Sequence, residues 1–400
     1  MTTDIASESP GSVPRTVLAL GMVSMFMDIS SEIIHSLLPV FLVTVLGAGA
    51  EAVGLIEGVA EATAMITRVF SGALSDRLGK RKVLALAGYG LGALSKPLFA
   101  LAPGVGLVFT ARFVDRIGKG IRGAPRDALI ADVTPPRLRG AAFGLRQSLD
   151  TIGAFVGPLL AILLMELFAG DFRKVFWLAV IPGGAAVAIL FFGVREPKVS
   201  SAGGRKFFFS RAELAALGHG YWLVVAVGAV FTLARFSEAF LLLRAEDVGL
   251  QTSFVPIVLV VMNIVYTLTA YPAGYLSDRI GRTGLMAMGL LMLIISDLLL
   301  ATAGQVWLVL VGAGCWGLHM GLTQGLLSAL VADSAAPQRR GTAFGVFGLI
   351  SGVALLLASL LAGWLWQNFG AATTFFGGAG LAVFALGGFV MLQLKGPATG

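Results

Sequence analysis

The chain has 400 residues, of which 57% are apolar and only 13% are charged, and its mean hydropathy is +0.88. A soluble domain of this length needs far more polar surface, so the composition excludes a soluble globular protein and indicates one embedded in lipid. The net charge of +7 does not indicate nucleic-acid binding, because the asymmetry of basic residues expected of a membrane protein explains it.

Apolar runs of about 20 residues are long enough to cross a bilayer. They predict an all-α membrane protein with twelve transmembrane helices, six in each half, and no sustained alternation of apolar and polar residues suggests a barrel. The predicted spans are 16–46, 51–75, 83–102, 106–132, 141–167, 174–194, 220–244, 253–276, 283–302, 305–332, 342–366 and 371–393.

The loops predict the domain organisation and the orientation. Among loop cations only Arg173, Lys174 and Arg244 fall on one side, so the other side, with both termini, is predicted to be cytoplasmic. The first residues show no basic cluster before a short apolar core, so we predict no cleaved signal peptide. The predicted segments are a tail (1–15), a six-helix bundle (16–194), a linker (195–217), a second six-helix bundle (218–393) and a tail (394–400).

The first span carries Asp28, Glu32 and His35 at spacings that place them on one helical face. An ionisable group costs about 3 kcal/mol in the bilayer, so each must face a partner or water. Asp28 and Glu32 are predicted to bind protons or a cationic group, with Arg116 setting their protonation. A nearby arginine favours the carboxylate and removal from water favours the neutral acid, so alternating access can switch between the two forms. The alternative is a permanently paired structural network.

The second and fourth spans carry further charges at membrane depth. Some must form ion pairs between helices, for which Lys96 and Asp150 are predicted partners, and others must face a cavity. On the seventh span, Arg235 and Glu238 are either cavity groups or an intrahelical pair. The candidate proton-coupling and cavity residues are Asp28, Glu32, His35, Glu61, Arg112, Arg116, Lys119, Arg235 and Glu238.

The two halves repeat each other. Residues 74–80 (LSDRLGK) return as 276–282 (LSDRIGR), and 128–144 is echoed by 329–345. Matched halves in a mostly apolar chain indicate a duplicated transporter.

Residues 72–81 resemble the signature between the second and third helices of the major facilitator superfamily, with a weaker copy at 274–282. The resemblance implies two bundles around a central cavity, alternating access, and a charge network that latches the cytoplasmic side in the outward-facing state. The alternative is that the cations only follow membrane topology. The predicted gating residues are Gly72, Asp76, Arg77, Gly79, Lys80, Arg81, Asp132, Asp278, Arg279, Arg282 and Asp333.

Two further segments bear on subclass. Residues 116–120 resemble the fourth-helix motif of proton-coupled members, with Lys119 where glutamine is usual. The segment with Gly153, Gly157 and Pro158 resembles the antiporter motif, although its trailing glycine pair is replaced by residues 160–161. A small-residue packing seam with a proline bend is the alternative.

The sequence therefore predicts a secondary transporter, and no enzyme, in a bacterial-type plasma (inner) membrane, functioning as a monomer. Proton-coupled export of a small organic or toxic solute is the favoured function; no cofactor, metal or nucleotide-binding loop is predicted. One alternative is an importer of an anionic solute, suggested by the fourth-span cations. Another is a non-transporting receptor or scaffold, which would not need costly buried charges.

Overall fold

The computed structural model describes residues 13–195, 214–280, 282–336 and 339–394, apart from the side chains of Ala73, Asp76, 275–283 and 391–394. These residues form α-helices joined by short connections, and the described ranges contain no strand. Most of the predicted tails and linker lie outside the described residues.

Twelve helical segments follow one another along the chain. They are α1 (Arg15–His35), α2 (Ala50–Leu78), α3 (Arg81–Leu101), α4 (Val105–Val133), α5 (Arg139–Leu167), α6 (Phe172–Gly193), α7 (Gly218–Leu233), α8 (Ile257–Ile280), α9 (Arg282–Thr302), α10 (Val306–Asp333), α11 (Arg340–Phe369) and α12 (Ala371–Leu394). After α1 the chain continues through Leu38–Val40 into a π-helical turn, Phe41–Val45. After α7 it continues, past an interruption at 234–238, into the short helix Ala239–Asp247.

Nine of these described segments are long and apolar enough to cross a membrane. The other three are α2 and α4, which carry many ionisable residues, and α7, which is only 16 residues long before its interruption. The predicted all-α membrane fold with two similar halves is confirmed, and the segments that depart from a simple apolar span are those that build the site described below.

The two halves meet along two seams, α2 against α11 and α5 against α8. Small residues bring α2 and α11 together. A Cβ atom placed on Gly54 would overlap the carbonyl oxygen of Ser359, and one placed on Gly363 would lie 2.7 Å from the carbonyl oxygen of Ala50. Because these helices touch through their backbones, the seam is sensitive to the size of any added side chain.

We call the end of the molecule with connections 79–80 and 134–138 the basic end, and the opposite end the distal end. At the distal end the halves are joined directly. The backbone N–H of Ala50 donates to Gln367 Oε1 at 3.0 Å, and Asn368 Nδ2 donates to Glu51 Oε1 at 3.2 Å. The short helix Ala239–Asp247 packs against Leu38–Val40, so the distal end is sealed.

Three loop cations lie at the distal end, away from the other basic loop residues, and each makes local contacts. Arg173 donates to the carbonyl oxygen of Ala100 at 2.9 Å, and Arg244 donates to the carbonyl oxygen of Leu300 at 2.9 Å. Each half thus satisfies carbonyl groups at the end of its third helix with an arginine. Lys174 pairs with Asp171 at 3.1 Å, and its side-chain hydrogen bond lowers the pKa of Asp171.

We expect Gly54→Ala to destabilise the sealed distal end, because the added methyl group cannot fit against Ser359. Overpacking of this kind costs about 1–3 kcal/mol, enough to shift a two-state equilibrium several-fold. Thiol modification of a Leu243→Cys reporter at the distal end, in a Cys315→Ser background, measures the shift. The control is Gly90→Ala, since nothing lies within 4 Å of a Cβ atom there; equal modification rates in the two alanine variants would contradict the packing account.

Candidate functional site

The charged helix α4 is packed unusually closely against α3 and α2. A Cβ atom on Gly118 would lie 2.6 Å from the carbonyl oxygen of Gly88, and one on Gly120 would lie 2.5 Å from Thr67 Cβ. This close approach explains the glycine-rich sequence of α4. It brings the long basic side chains of α4 within reach of acids on α1 and α2, and it brings Asp115 of α4 within reach of Lys96 on α3.

Asp115 on α4 is the centre of a buried network. Its Oδ1 lies 2.7 Å from Lys96 Nζ, which also donates to Ser31 Oγ at 3.0 Å, and its Oδ2 lies 3.4 Å from His35 Nε2. Lys96 and Asp115 are 0% and 1% exposed. Two charges can remain buried in this way only because each compensates the other, so we assign the pair a structural role. His35 belongs to the same network.

A second network joins α4 to α2. Arg112 Nη2 lies 2.6 Å from Glu57 Oε2 and 4.0 Å from Glu61 Oε1, while Arg116 Nη1 lies 2.9 Å from Glu61 Oε1. Arg116 was predicted to act on the first-span carboxylates, but its ion-pair partner among the described residues is Glu61. Any influence on Glu32 must therefore act through space across the cavity.

A third cluster lies nearer the basic end. Arg146 Nη1 lies 2.6 Å from Asp150 Oδ2, and Arg126 lies 3.9 Å from the same carboxylate and 3.0 Å from Asp127. Arg122 Nη2 is 4.0 Å from Asp28 Oδ1. The predicted partners Lys96 and Asp150 therefore both meet charges of α4.

Two adjoining cavities lie between the halves, of about 560 and 230 Å³. The larger reaches toward the basic end, where Arg68, Arg126 and Arg146 line it, and the smaller lies toward the interruption at 234–238. Glu32, Glu61 and Lys119 line both. All nine predicted cavity residues line one or both cavities.

Four of these nine are not engaged in the networks of α4. Lys119, Arg235 and Glu238 have no opposite charge within 4.0 Å among the described residues, and Glu32 reaches only His35, at 4.0 Å. The alternative of an intrahelical pair between Arg235 and Glu238 is therefore wrong for this conformation, because the helix is interrupted between them. One cation and one acid from each half remain available to a solute or a proton.

The glycines of the antiporter-like motif pack against this site. A Cβ atom on Gly157 would lie 2.5 Å from Glu32 Cβ, and one on Gly153 would lie 2.9 Å from Asp28 Cβ. Pro158 lies within the same helix, α5. The geometry is that of a packing seam, and it is the seam that presses α5 onto the face carrying Asp28 and Glu32.

The gating motif is described only in part. Gly79 ends α2 at φ +62°, a left-handed conformation that favours glycine. Arg81 Nη1 lies 2.5 Å from Asp132 Oδ2, which joins α3 to α4 within one half. Gly72 has ordinary contacts, Arg77 and Lys80 are exposed, and Asp333 ends α10. The side chains of Asp76, Asp278, Arg279 and Arg282 lie outside the described residues, so the latch remains a prediction.

The sequence did not predict a functional role for Asn263, Tyr266 or Asp297. Asn263 and Tyr266 of α8 line the larger cavity, and uncharged residues in an apolar span give no warning of this. Asp297 was missed although it carries a clear signal, being the one charged residue of the predicted span 283–302.

Comparisons with known proteins agree with this architecture. The profile of the Major Facilitator Superfamily matches residues 18–243 and 226–399. An MFS-type transporter of Methanocaldococcus jannaschii is 33% identical over 369 residues, covering 90% of this chain and 91% of that protein. The class H tetracycline resistance protein of Pasteurella multocida is 26% identical over 293 residues, covering 68% of this chain and 69% of that protein. The solved structure of the nucleoside transporter NupG matches with a TM-score of 0.76 at 14% identity, over 94% of this chain and 99% of that one.

We expect single substitutions in the Asp115 network to prevent stable folding. Lys96→Met or Asp115→Leu leaves a buried charge with less compensation, at a cost of about 3–5 kcal/mol, whereas the double variant removes both charges and should recover most of the stability. The folded fraction after detergent extraction, with thermal unfolding, measures the cycle.

The matched control is Lys174→Met, which breaks a lysine–aspartate pair whose side chains are 63% and 38% exposed. Its cost should be about 0–1 kcal/mol. A double variant as unstable as the two single variants would mean that the buried pair is not the source of the instability.

Proposed function

The chain belongs to the major facilitator superfamily and is a multi-pass membrane transporter rather than an enzyme, and from this premise we propose that it exports a small, charged organic solute in exchange for protons. The observation that carries the proposal is a set of four charged residues, Glu32, Lys119, Arg235 and Glu238, that line one cavity from both halves and have no opposite charge closer than 4.0 Å among the described residues. In a bilayer, ionisable groups outside structural pairs mark the pathway of an ion or a polar solute.

The proposed direction starts from the open end of the cavity. With the basic end in the cytoplasm, as the distribution of loop cations favours, the described conformation is open to the cytoplasm and sealed at the distal end. A solute would enter the larger cavity between Arg68 and Arg146 and move toward Glu32 and Lys119. Outward release then requires the α2–α11 seam to part at its distal end.

Exchange of solute for protons follows if Glu32 binds the solute and a proton alternately. A cationic group of the solute favours ionised Glu32, so loading the solute releases a proton, and proton binding in the other state releases the solute. Asp28 lies on the same helical face one turn away and is paired only loosely, at 4.0 Å, with Arg122. Glu57 and Asp115, by contrast, are closely paired and are assigned to structure.

The relatives support export only indirectly. The Pasteurella protein is named for tetracycline resistance, and removal of a toxic solute is consistent with that name. The charged lining of both cavities favours a polar solute over a purely apolar one.

Import of an anionic solute is the second candidate. Lys119 and Arg235 face the smaller cavity from opposite halves without a close carboxylate among the described residues. Proteoliposomes tested with solutes of either charge and with both signs of pH gradient separate the two candidates, because export of a cation and import of an anion respond oppositely to the gradient.

We expect Glu32→Gln, and to a similar degree Asp28→Asn, to abolish transport driven by a pH gradient while the protein still folds and inserts into the membrane. The amide keeps the shape of the acid but cannot exchange a proton. A screen in proteoliposomes with an imposed pH gradient identifies a solute, and the variants are then compared with it. Glu166→Gln, the same change at an exposed position on α5, is the control; uphill flux in Glu32→Gln with the pH dependence of the unmodified protein would exclude Glu32 as a coupling residue.

We expect Asp76→Asn to favour the conformation open at the basic end, if the gating motif latches the opposite state. Loss of a partly exposed charge pair is worth about 1 kcal/mol, a several-fold change in the equilibrium. The control is Asp278→Asn, which should do less because its loop lacks the basic run 80–82. Reporter cysteines at either end, without Cys315, measure the shift, and an equal or larger effect of Asp278→Asn would reject the latch.

A further inference from the structure

Asp297, in the middle of α9, is a buried acid that no network accounts for. It is 0% exposed, and neither of its carboxyl oxygens has a hydrogen-bond partner among the described residues. Two buried acids of the first half, Glu57 and Asp115, each have a basic partner within 2.7 Å. A lone carboxylate in an apolar interior is very costly, whereas the neutral acid avoids most of that cost, so Asp297 is compatible with this interior only while it holds a proton.

The acid lies beside an aromatic residue of the interrupted segment. A Cβ atom on Gly378 would lie 2.7 Å from Asp297 Oδ2 and 2.8 Å from Phe236 Cε1, so the carboxyl group and the ring edge are neighbours across this glycine. Phe236 also contacts Trp316, with ring centroids 5.5 Å apart. Trp316 Nε1 is itself buried without a hydrogen-bond partner. A donor and an acceptor that lack hydrogen-bond partners among the described residues therefore both lie next to the ring of Phe236.

Phe236 also borders the transport pathway. It lines the smaller cavity together with Arg235 and Glu238, and it lies in the interruption at 234–238, where regular helical hydrogen bonding is lost. Such breaks within membrane helices are tolerated where they line a cavity, and they are the segments that can change conformation with least loss of backbone bonding. Phe236 is thus the layer between the cavity and the acid.

The repeat gives Asp297 a counterpart of opposite charge. Lys96 and Asp297 lie at the same distance from the first residues of α3 and α9, Arg81 and Arg282, and each follows a serine. Lys96 is permanently paired with Asp115. Both halves therefore place an ionisable group here, but only the first half provides its counter-charge among the described residues.

The helices packed around α9 contain few groups that could stabilise the ionised form of Asp297. The sequence of α12 has no titratable residue, and none of the neighbouring groups forms a described hydrogen bond or ion pair with Asp297. Those groups are Cys315 and His319 on α10, Tyr266 and Tyr271 on α8, Arg235 and Glu238 in the interruption, and Arg244, which donates to the carbonyl oxygen of Leu300 near the end of α9.

From these contacts we propose that Asp297 is a second proton-binding site, closed off by Phe236 and reached from the cavity when the interrupted segment moves. The inference rests on the proposed proton-coupled transport and adds a group in the second half that takes up and releases a proton during the cycle. Displacement of Phe236 would admit water from the smaller cavity to the carboxyl group of Asp297.

A hydrophobic carbodiimide tests the buried acid without any solute. The acid proton moves to a carbodiimide nitrogen, the carboxyl oxygen bonds to the central carbon, and the adduct rearranges to a stable N-acylurea without loss of atoms. In the purified full-length protein we expect modification of Asp297, detected by peptide mass spectrometry, with little at paired Glu57. We expect no adduct at this position in Asp297→Asn and faster modification in Phe236→Ala. Absence of the adduct in both the unmodified protein and Phe236→Ala would overturn the proposal.

The second measurement is the pH dependence of the Leu243→Cys reporter. A conformational equilibrium linked to one proton changes by up to about tenfold per pH unit. We expect the pH dependence of reporter modification to become shallower in Asp297→Asn, by the contribution of one proton. Asp297→Glu should keep the original pH dependence, and so should Ser296→Ala, a change on the same turn of α9. An unaltered slope in Asp297→Asn rejects the site even if the transporter uses protons. Solute flux that ignores the pH gradient in the unmodified protein rejects the proposed function instead.

Discussion

The fold of the first half depends on neutralising the charges of α4 inside a membrane. That helix contributes Arg112, Asp115 and Arg116 at membrane depth, where an unpaired charge would be prohibitively costly. Acids from α2 and a lysine from α3 meet them at distances of 2.6 to 2.9 Å. The glycines between α3 and α4 serve this neutralisation, because the charged side chains can meet only when the two helix backbones lie close together.

This constraint separates the charges that hold the structure from those that can bind a solute. Pairs such as Arg112 with Glu57 are closed and buried, whereas Glu32 and Lys119 line both cavities without a close counter-charge among the described residues. The second half follows a different plan. Its interior is mainly apolar, it contributes Arg235 and Glu238 from an interruption in α7, and it holds Asp297 away from the cavity. A first half with many paired charges thus faces a mainly apolar second half whose α7 is interrupted at 234–238.

The sequence predicted the fold well because hydropathy, the repeat and the loop charges are properties of single segments. It also singled out residues that line the two cavities, since a helical face can be read from spacing alone. It did not predict the partners: Arg116 meets Glu61 rather than the acids of α1, and His35 meets Asp115. Partner choice depends on how neighbouring helices are rotated and how closely they pack, which spacing within one helix does not encode. The interruption at 234–238 was not predicted because its residues are compatible with a continuous helix. Asp297 was not predicted because a single acid in an apolar span forms no helical face with other charges.

The central claim is that solute and proton movements are obligatorily coupled through this cavity. The most direct test loads proteoliposomes with a pH-sensitive dye and, with no imposed gradient, adds a solute identified by the transport screen. The account predicts a change of internal pH that requires the solute, saturates with its concentration and reverses sign when the solute gradient is reversed. Solute entry without any change in internal pH would contradict it.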